Sequence, residues 1–206
     1  MRDQLPRTHK NDRWLSGTGL MMSTSRMTFD AQCDVASIVY GVGDDPDRLL
    51  IEFANDLARS GFRPVGVAQR GHNCHSTSPG LGVVTLPNGN VISLVDDRTR
   101  DIAACRLENE RLEDLAKQLT ASIEGGADLI IVNRFGHSEA EGRGLVDLIS
   151  QALNADIPLL IAVSERRFPT WIRFCNGMSV RLACRRDMLD RWWRSISVNE
   201  KKAAIY

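Results

Sequence analysis

Hydrophobic positions along this chain switch between two periods, and the switching orders the elements. Short aliphatic runs read as strands: VASIVY at 35–40, RPVGVAQ at 63–69, DLIIVN at 128–133 and IPLLIAV at 157–163. Between them, apolar residues recur on one helical face. Leu49, Leu50, Phe53, Ala54, Leu57 and Ala58 form the first set; Leu112, Leu115, Ala116, Leu119 and Ile123 form the second; Leu145, Leu148, Ile149, Ala152 and Leu153 form the third. Asp45 before Pro46 has the form of an N-cap and a first-turn proline, Gly61 closes that helix, and Gly125-Gly126 stops the second. GVVTLPNGNVISLVDD reads as two strands joined by a Pro-Asn-Gly-Asn turn. RFPTWIRFCNG is expected to be a short helix, MSVRLA a last edge strand, and RDMLDRWWRSI a terminal helix. Strand, helix, strand at this spacing predicts a mostly parallel α/β sheet with helices on both faces and a β-hairpin insertion.

The same pattern sets the expected domain limits. Residues 1–32 lack apolar periodicity and are read as a disordered tail, with Met21, Met22 and Met27 offering later translation starts. Residues 33–198 are expected to form one domain, and 199–206 a C-terminal tail. With 206 residues and 43% hydrophobic content, one α/β core needs neither disulfide nor metal to hold it. Lys plus Arg (26) balances Asp plus Glu (26), so no global field draws the chain to nucleic acid or an anionic membrane. The five cysteines are odd in number and none pairs as C-x-x-C, which fits reduced thiols in a cytoplasmic protein. The chain carries no apolar run of membrane-spanning length and no apolar secretory segment at its start.

The first strand runs into GVGDDPDR. A phosphate-cradling loop would read G-x-x-x-x-G-K-[ST], its stacked amides and lysine meeting the phosphates. Here Pro46, Asp47 and Arg48 stand where Gly, Lys and Ser/Thr would be, and the chain's four lysines, Lys10, Lys117, Lys201 and Lys202, lie elsewhere. Asp44, Asp45 and Asp47 would repel a polyphosphate unless a divalent cation intervened. Two readings stand side by side: a strand-to-helix turn with an Asp cap, or an altered nucleotide or anion loop.

Several blocks together resemble a bacterial family of unknown function that is distantly related to P-loop nucleoside-triphosphatases and often encoded beside molybdate-uptake or molybdenum-enzyme genes. The blocks are GVGDDPDRLL, VGVAQ, CRLE at 105–108, NRFGHSEAEGRGL at 133–145, IPLLIAV and the segment 171–177. The resemblance covers roughly residues 35–195, and NRFG-x-x-E-A-x-G-R-G is its specific part. It implies a P-loop-NTPase-like fold and a link to molybdenum physiology, with no established reaction. The strand that in such enzymes commonly ends in a magnesium-holding acid ends here in Asn133. With the phosphate lysine and that acid both missing, binding is expected and efficient hydrolysis is not.

A strand's carboxyl end is where α/β proteins hold ligands. The ligand-binding set expected there is Gly41, Gly43, Asp44, Arg48, Gln69, Arg106, Asn133, Arg134, Glu139 and Arg143. Arg106, Arg134 and Arg143 could converge on an oxyanion as guanidinium forks, or Arg134 and Arg143 could pair with Glu139, Glu141 or nearby acids on a solvated face. Gly142 and Gly144 call for a close backbone approach, to a ligand or to the sheet. His72, Cys74 and His75 form a dense cluster of soft ligands that would need His137 or Cys105 to complete a metal site; the alternative is an ordinary polar loop. Cys105 beside Arg106 could be a reactive thiol or a small buried hydrophobe. Trp192 and Trp193 point in different directions from one helix, so one is assigned to the core and the other to an interface, with Arg185, Arg186, Arg191 and Arg194 as its basic rim.

The leading functional expectation is a nucleotide- or oxyanion-binding accessory or regulatory protein with a degenerate phosphate loop. Its ligand would be a nucleotide with Mg²⁺, or molybdate. The rival is an active nucleotide-dependent phosphohydrolase or kinase in which Arg48 replaces the lysine and Asp44 or Asp45 binds Mg²⁺. A third reading is an assembly module built around the HNCH loop at 72–75 and the Trp/Arg helix, forming a stable homo-oligomer or docking an acidic partner without a small ligand.

Overall fold

The computed structural model describes residues 34–70, 82–93, 114–132 and 134–203, the side chains at 70, 92, 93 and 198–203 excepted. In chain order the elements are β1 (Val35–Tyr40), α1 (Pro46–Arg59), β2 (Pro64–Arg70), β3 (Gly82–Leu86), β4 (Val91–Ser93), α2 (114–124), β5 (Leu129–Val132), α3 (His137–Ala140), α4 (Val146–Asn154), β6 (Leu159–Ser164), α5 (Phe168–Phe174), β7 (Val180–Ala183) and α6 (Arg186–Ala203). The terminal helix thus runs to Ala203, beyond the boundary expected at 198.

Seven strands form one sheet in the order β4-β3-β2-β5-β6-β1-β7. The five from β2 to β7 are parallel, and β3 and β4 extend the β2 side as the antiparallel hairpin that the Pro-Asn-Gly-Asn turn predicts. Because side chains alternate across a strand, each strand feeds two cores. Val35, Val65, Val67, Ile130, Val132, Leu159, Ile161 and Val163 face α2, α4 and α5, where Leu119, Leu148, Ile149 and Trp171 cover them. Ala36, Ile38, Leu129, Ile131, Leu160 and Ala162 face α1 and α6, under Leu50, Phe53, Leu57, Leu189, Trp192 and Trp193. Strands β5 and β6 are buried on both faces, which is why their sequences show no polar alternation.

Asp45 does cap α1, its carboxylate accepting from the Arg48 amide at 3.0 Å. The expected split of the two tryptophans is corrected by the packing. Trp192 and Trp193 are both buried in the same core, with Trp193 edge-on to Phe62 at 5.1 Å between ring centroids and Trp192 tilted against it at 6.2 Å. The groove between α1, β7 and the sheet is wide enough to take both indoles, so neither is left for an interface.

Gly66 marks the tightest contact between strands. It lies in β2 opposite Ile131 of β5 with φ +155, and a Cβ there would meet the Ile131 carbonyl oxygen, with the carbonyl carbon only 2.7 Å away. We predict that Gly66→Ala separates β2 from β5 and destabilises the chain by about 3 kcal/mol or more, read as a lower midpoint in urea unfolding. A midpoint equal to that of the unsubstituted chain would contradict the pairing described.

Candidate functional site

Pairing of β1 with β6 in register sets Tyr40 beside Ser164, so the carboxyl ends of the parallel strands reach one edge together. The chain leaves β1 through α1 toward β2 on one side and later lays β7 on the other, so the strand order reverses at β1. Open α/β sheets form their ligand crevice at such a reversal. Tyr40 of β1, Gln69 of β2, the turn after β5 with Arg134, the turn after β6 with Glu165, and the amino end of α1 with Asp47 all lie at this edge.

The loop at residues 41–45 is closed by its own acids. The Gly41 amide donates to Asp44 Oδ2 at 2.8 Å, and the Arg48 amide is taken by Asp45. Gly43 supplies the left-handed turn at φ +96, and Val42 beside it projects fully into solvent. Two amides flanking this loop, those of Gly41 and Arg48, are therefore already matched to its own carboxylates. Glu165 donates its amide to the Tyr40 carbonyl at 3.0 Å, and its carboxylate lies against Gly41.

Arg48 and Asp47 exchange the roles expected of them. Arg48, proposed as the lysine substitute, is 73% exposed and bonds Glu52 at 2.7 Å along the outer face of α1. Asp47, one residue earlier and at the position a lysine would take, turns inward with a side chain only 10% exposed and forms an ion pair with Arg134, itself 21% exposed. The Arg134 guanidinium sits over the Tyr40 ring at 5.2 Å. Asp47 Oδ1 and Arg134 Nε are buried and have no hydrogen-bond partner among the described residues. Burial pushes the Asp47 carboxyl above the ordinary 3.8, and the Arg134 charge offsets that only in part. Burial likewise raises Tyr40, against the opposing pull of Arg134.

Two of the expected anion-binding residues, Arg143 and Glu139, are engaged elsewhere. Arg143 is 53% exposed and pairs with Glu141, which also meets His137 Nε2 at 3.1 Å. Glu139 is buried as a loop clamp, accepting from the Gly136 amide at 2.8 Å and the Leu145 amide at 3.3 Å. That clamp explains Gly144, while Gly142 is required only by its left-handed backbone. Gly142 (φ +78) and Gly144 (φ +68) are left-handed, and a Cβ on Gly144 would run into Glu139 Oε1. At Gly144 the close backbone approach is to a carboxylate of the same loop. Gln69 is buried at the end of β2, where its amide adds a smaller pull on Asp47. Arg106, Asn133, Cys105 and the cluster His72, Cys74 and His75 lie outside the described residues. Among the described residues no group of three His, Cys, Asp or Glu is arranged to hold a metal.

Sequence reasoning missed Tyr40, Glu165 and the inward turn of Asp47. Tyr40 was signalled by its place as the polar final residue of an apolar strand, but the 87-residue separation of Asp47 and Arg134 carried no signal. Cys184 registers the same concentration of acid. Burial, then the charges of Asp44, Asp45 and Asp47, push its thiol up to about 11, so it stays protonated at neutral pH.

A model of a family described as a protein of unknown function, DUF2478, matches residues 35–192. Among curated proteins, the molybdenum import ATP-binding protein ModC 2 of Bradyrhizobium diazoefficiens is 38% identical over 172 residues, 82% of this chain. The chain spans only 19% of that relative's length. Among solved structures, THEP1 from the hyperthermophile Aquifex aeolicus superposes with a TM-score of 0.56 at 14% identity, over 78% of this chain and 95% of that one. At that identity the likeness speaks for the fold, which is the mostly parallel P-loop-NTPase-like α/β sheet expected from the sequence. No helix among the described residues is long and apolar enough to cross a membrane.

The ion pair yields a prediction whose sign follows from burial. Because the folded-state value of Asp47 is raised, its contribution to stability is fully present below pH 3.8 and is lost as pH rises through that folded value. Arg134→Ala removes the partner that offsets this loss. It is expected to destabilise the chain by about 3 kcal/mol near pH 7, and by progressively less as the pH falls toward 4 and Asp47 takes up a proton. Urea unfolding across that range checks it; a cost independent of pH would show that Asp47 is not the group exposed by the substitution.

Proposed function

The chain belongs to the DUF2478 family, and within it we propose a P-loop-like accessory module that binds a nucleotide or small oxyanion at the strand-end crevice without turning it over rapidly. The observation that carries this reading is the reversed charge at the phosphate position. A carboxylate, Asp47, stands where a lysine would neutralise the β and γ phosphates, and the positive group is Arg134, delivered from the turn after β5. Arg134 supplies an anion receptor with a partly exposed guanidinium over an aromatic ring. The loop's own acids take the Gly41 and Arg48 amides, two of the donors that would otherwise stabilise a polyphosphate in a hydrolytic transition state.

The matched segment makes up about a fifth of a polypeptide named as a molybdenum import ATP-binding protein, 19% of its length. That supports a module working beside an import ATPase, with nucleotide state or an imported oxyanion as its input. The phosphohydrolase reading loses its principal residue, since Arg48 is drawn to Glu52 on the outer face.

A thermal-shift screen against ATP, GTP, phosphate, molybdate and tungstate, with and without Mg²⁺, tests the binding reading, because a ligand of the native state raises apparent stability. At least one anion is expected to raise the melting temperature by several degrees, and Arg134→Ala is expected to abolish the rise. No rise with any of them would overturn the reading. In parallel, nucleotide turnover with Mg²⁺ is expected to stay at background; turnover lost in Asp44→Ala would instead restore the enzyme.

A further inference from the structure

Two buried polar atoms define the Arg134 crevice more narrowly than its charge does. Asp47 Oδ1 can only accept a hydrogen bond while ionised, Arg134 Nε can only donate one, and both lack a partner among the described residues. The two side chains are already joined through Arg134 Nη2 and Asp47 Oδ2, so the orphaned acceptor and donor belong to one linked pair beside Tyr40. Leaving such groups buried and unmatched is costly, and a ligand that satisfies both recovers that cost.

We propose, resting on the reading that an anion binds at Arg134, that Asp47 selects a protonated phosphoryl group, its P–O–H donating to Asp47 Oδ1 while a second phosphoryl oxygen accepts from Arg134 Nε. A fully ionised tetrahedral anion offers oxygens to Arg134 but only lone pairs and negative charge to Asp47. Inorganic phosphate and phosphate monoesters keep a dissociable proton near neutrality, the second dissociation of a phosphoryl group falling at about pH 6. Sulfate and molybdate are fully ionised there. The crevice therefore reads the proton on the anion. The described groups around Asp47 agree with this: Arg134 supplies the opposing charge, the Gln69 backbone amide hydrogen-bonds the carboxylate, Tyr40 is neutral with Arg167 also acting on it, and Asp45 adds negative charge that further disfavours an ionised guest. Under this inference the input is a phosphoryl group, free or carried on a nucleotide, rather than the transported metal oxyanion.

The test is calorimetric titration of the full chain at pH 6.5, in a buffer free of phosphate, with inorganic phosphate, AMP, sulfate and molybdate. Phosphate or AMP is expected to bind at least about 100-fold more tightly than sulfate and molybdate, since a site that hydrogen-bonds a ligand hydroxyl rejects analogues lacking it. Asp47→Asn, which can donate through its amide but no longer accepts as a carboxylate, is expected to erase the preference by raising sulfate affinity about tenfold and lowering phosphate affinity about tenfold or more. Sulfate or molybdate binding as tightly as phosphate to the unsubstituted chain would overturn the selection while leaving the anion site standing. Binding of none of the four at millimolar concentration would remove the anion site itself and the selection with it. Should Asp47→Asn not fold, the ratio measured on the unsubstituted chain decides the matter alone.

Discussion

The amino end of α1 is a positive pole at the strand-end crevice, and it needs a counter-charge. A helix start carries unpaired amides and the positive end of the helix dipole, and in phosphate-binding proteins a ligand satisfies both. This chain meets the same demand from within. Asp45 takes the Arg48 amide, Asp44 takes the Gly41 amide, and Asp47 sits in the first turn facing inward. Once Asp47 is buried there, a cation must come to it, and Arg134 is the group that arrives. The inward set of the Arg134 side chain follows from that one carboxylate.

The same device recurs on the opposite loop. Glu139 reaches back to the Gly136 amide and forward to the Leu145 amide, and only glycine at 144 leaves room for it. The Phe135 amide is then anchored to the Ala162 carbonyl of β6 at 2.9 Å, while its ring packs on Trp171 at 5.1 Å between centroids. Arg134, the residue just before, is therefore held by a pinned backbone on one side and by Asp47 on the other. Two loops closed by carboxylate-to-amide bonds make a rigid frame around one charge pair.

The fold was legible because its determinants are local or periodic. The aliphatic runs of β1, β5 and β6, the Asp45-Pro46 cap, the Pro-Asn-Gly-Asn hairpin and the helical spacing of Leu148, Ile149 and Ala152 each predict their element without help from distant residues. The site was legible only in location. That a strand end would meet the 41–48 loop followed from topology, but the partner of each charge did not. Asp47 shares the buried face of α1 with Leu50 and Ala54, but the cation that meets it there comes from 87 positions away. Glu139 and Arg143 were assigned to a ligand because polar, glycine-rich sequence after a strand has the same composition whether it holds a ligand or only closes its own turn. The two tryptophans were misjudged for a related reason. Adjacent side chains on a helix diverge by about 100°, yet an apolar groove of that width buries both.

Stability alone does not account for the Asp47 and Arg134 pair. A buried ion pair can be replaced by apolar side chains of like volume at little cost or with a gain, whereas losing either partner alone costs about 3 to 5 kcal/mol. Against a total stability of about 5 to 15 kcal/mol for a domain of this kind, carrying such a pair is a liability unless the charges serve recognition. The geometry favours the second explanation. A pair kept for packing would satisfy all five of its polar atoms internally, while here, among the described residues, one carboxylate oxygen and one guanidinium nitrogen are buried without a partner, at the reversal of strand order where this class of sheet places its ligands. An incomplete network at that place is what a ligand would complete, and the chain's departure from a hydrolytic loop is then a change in what the crevice recognises rather than the decay of a site.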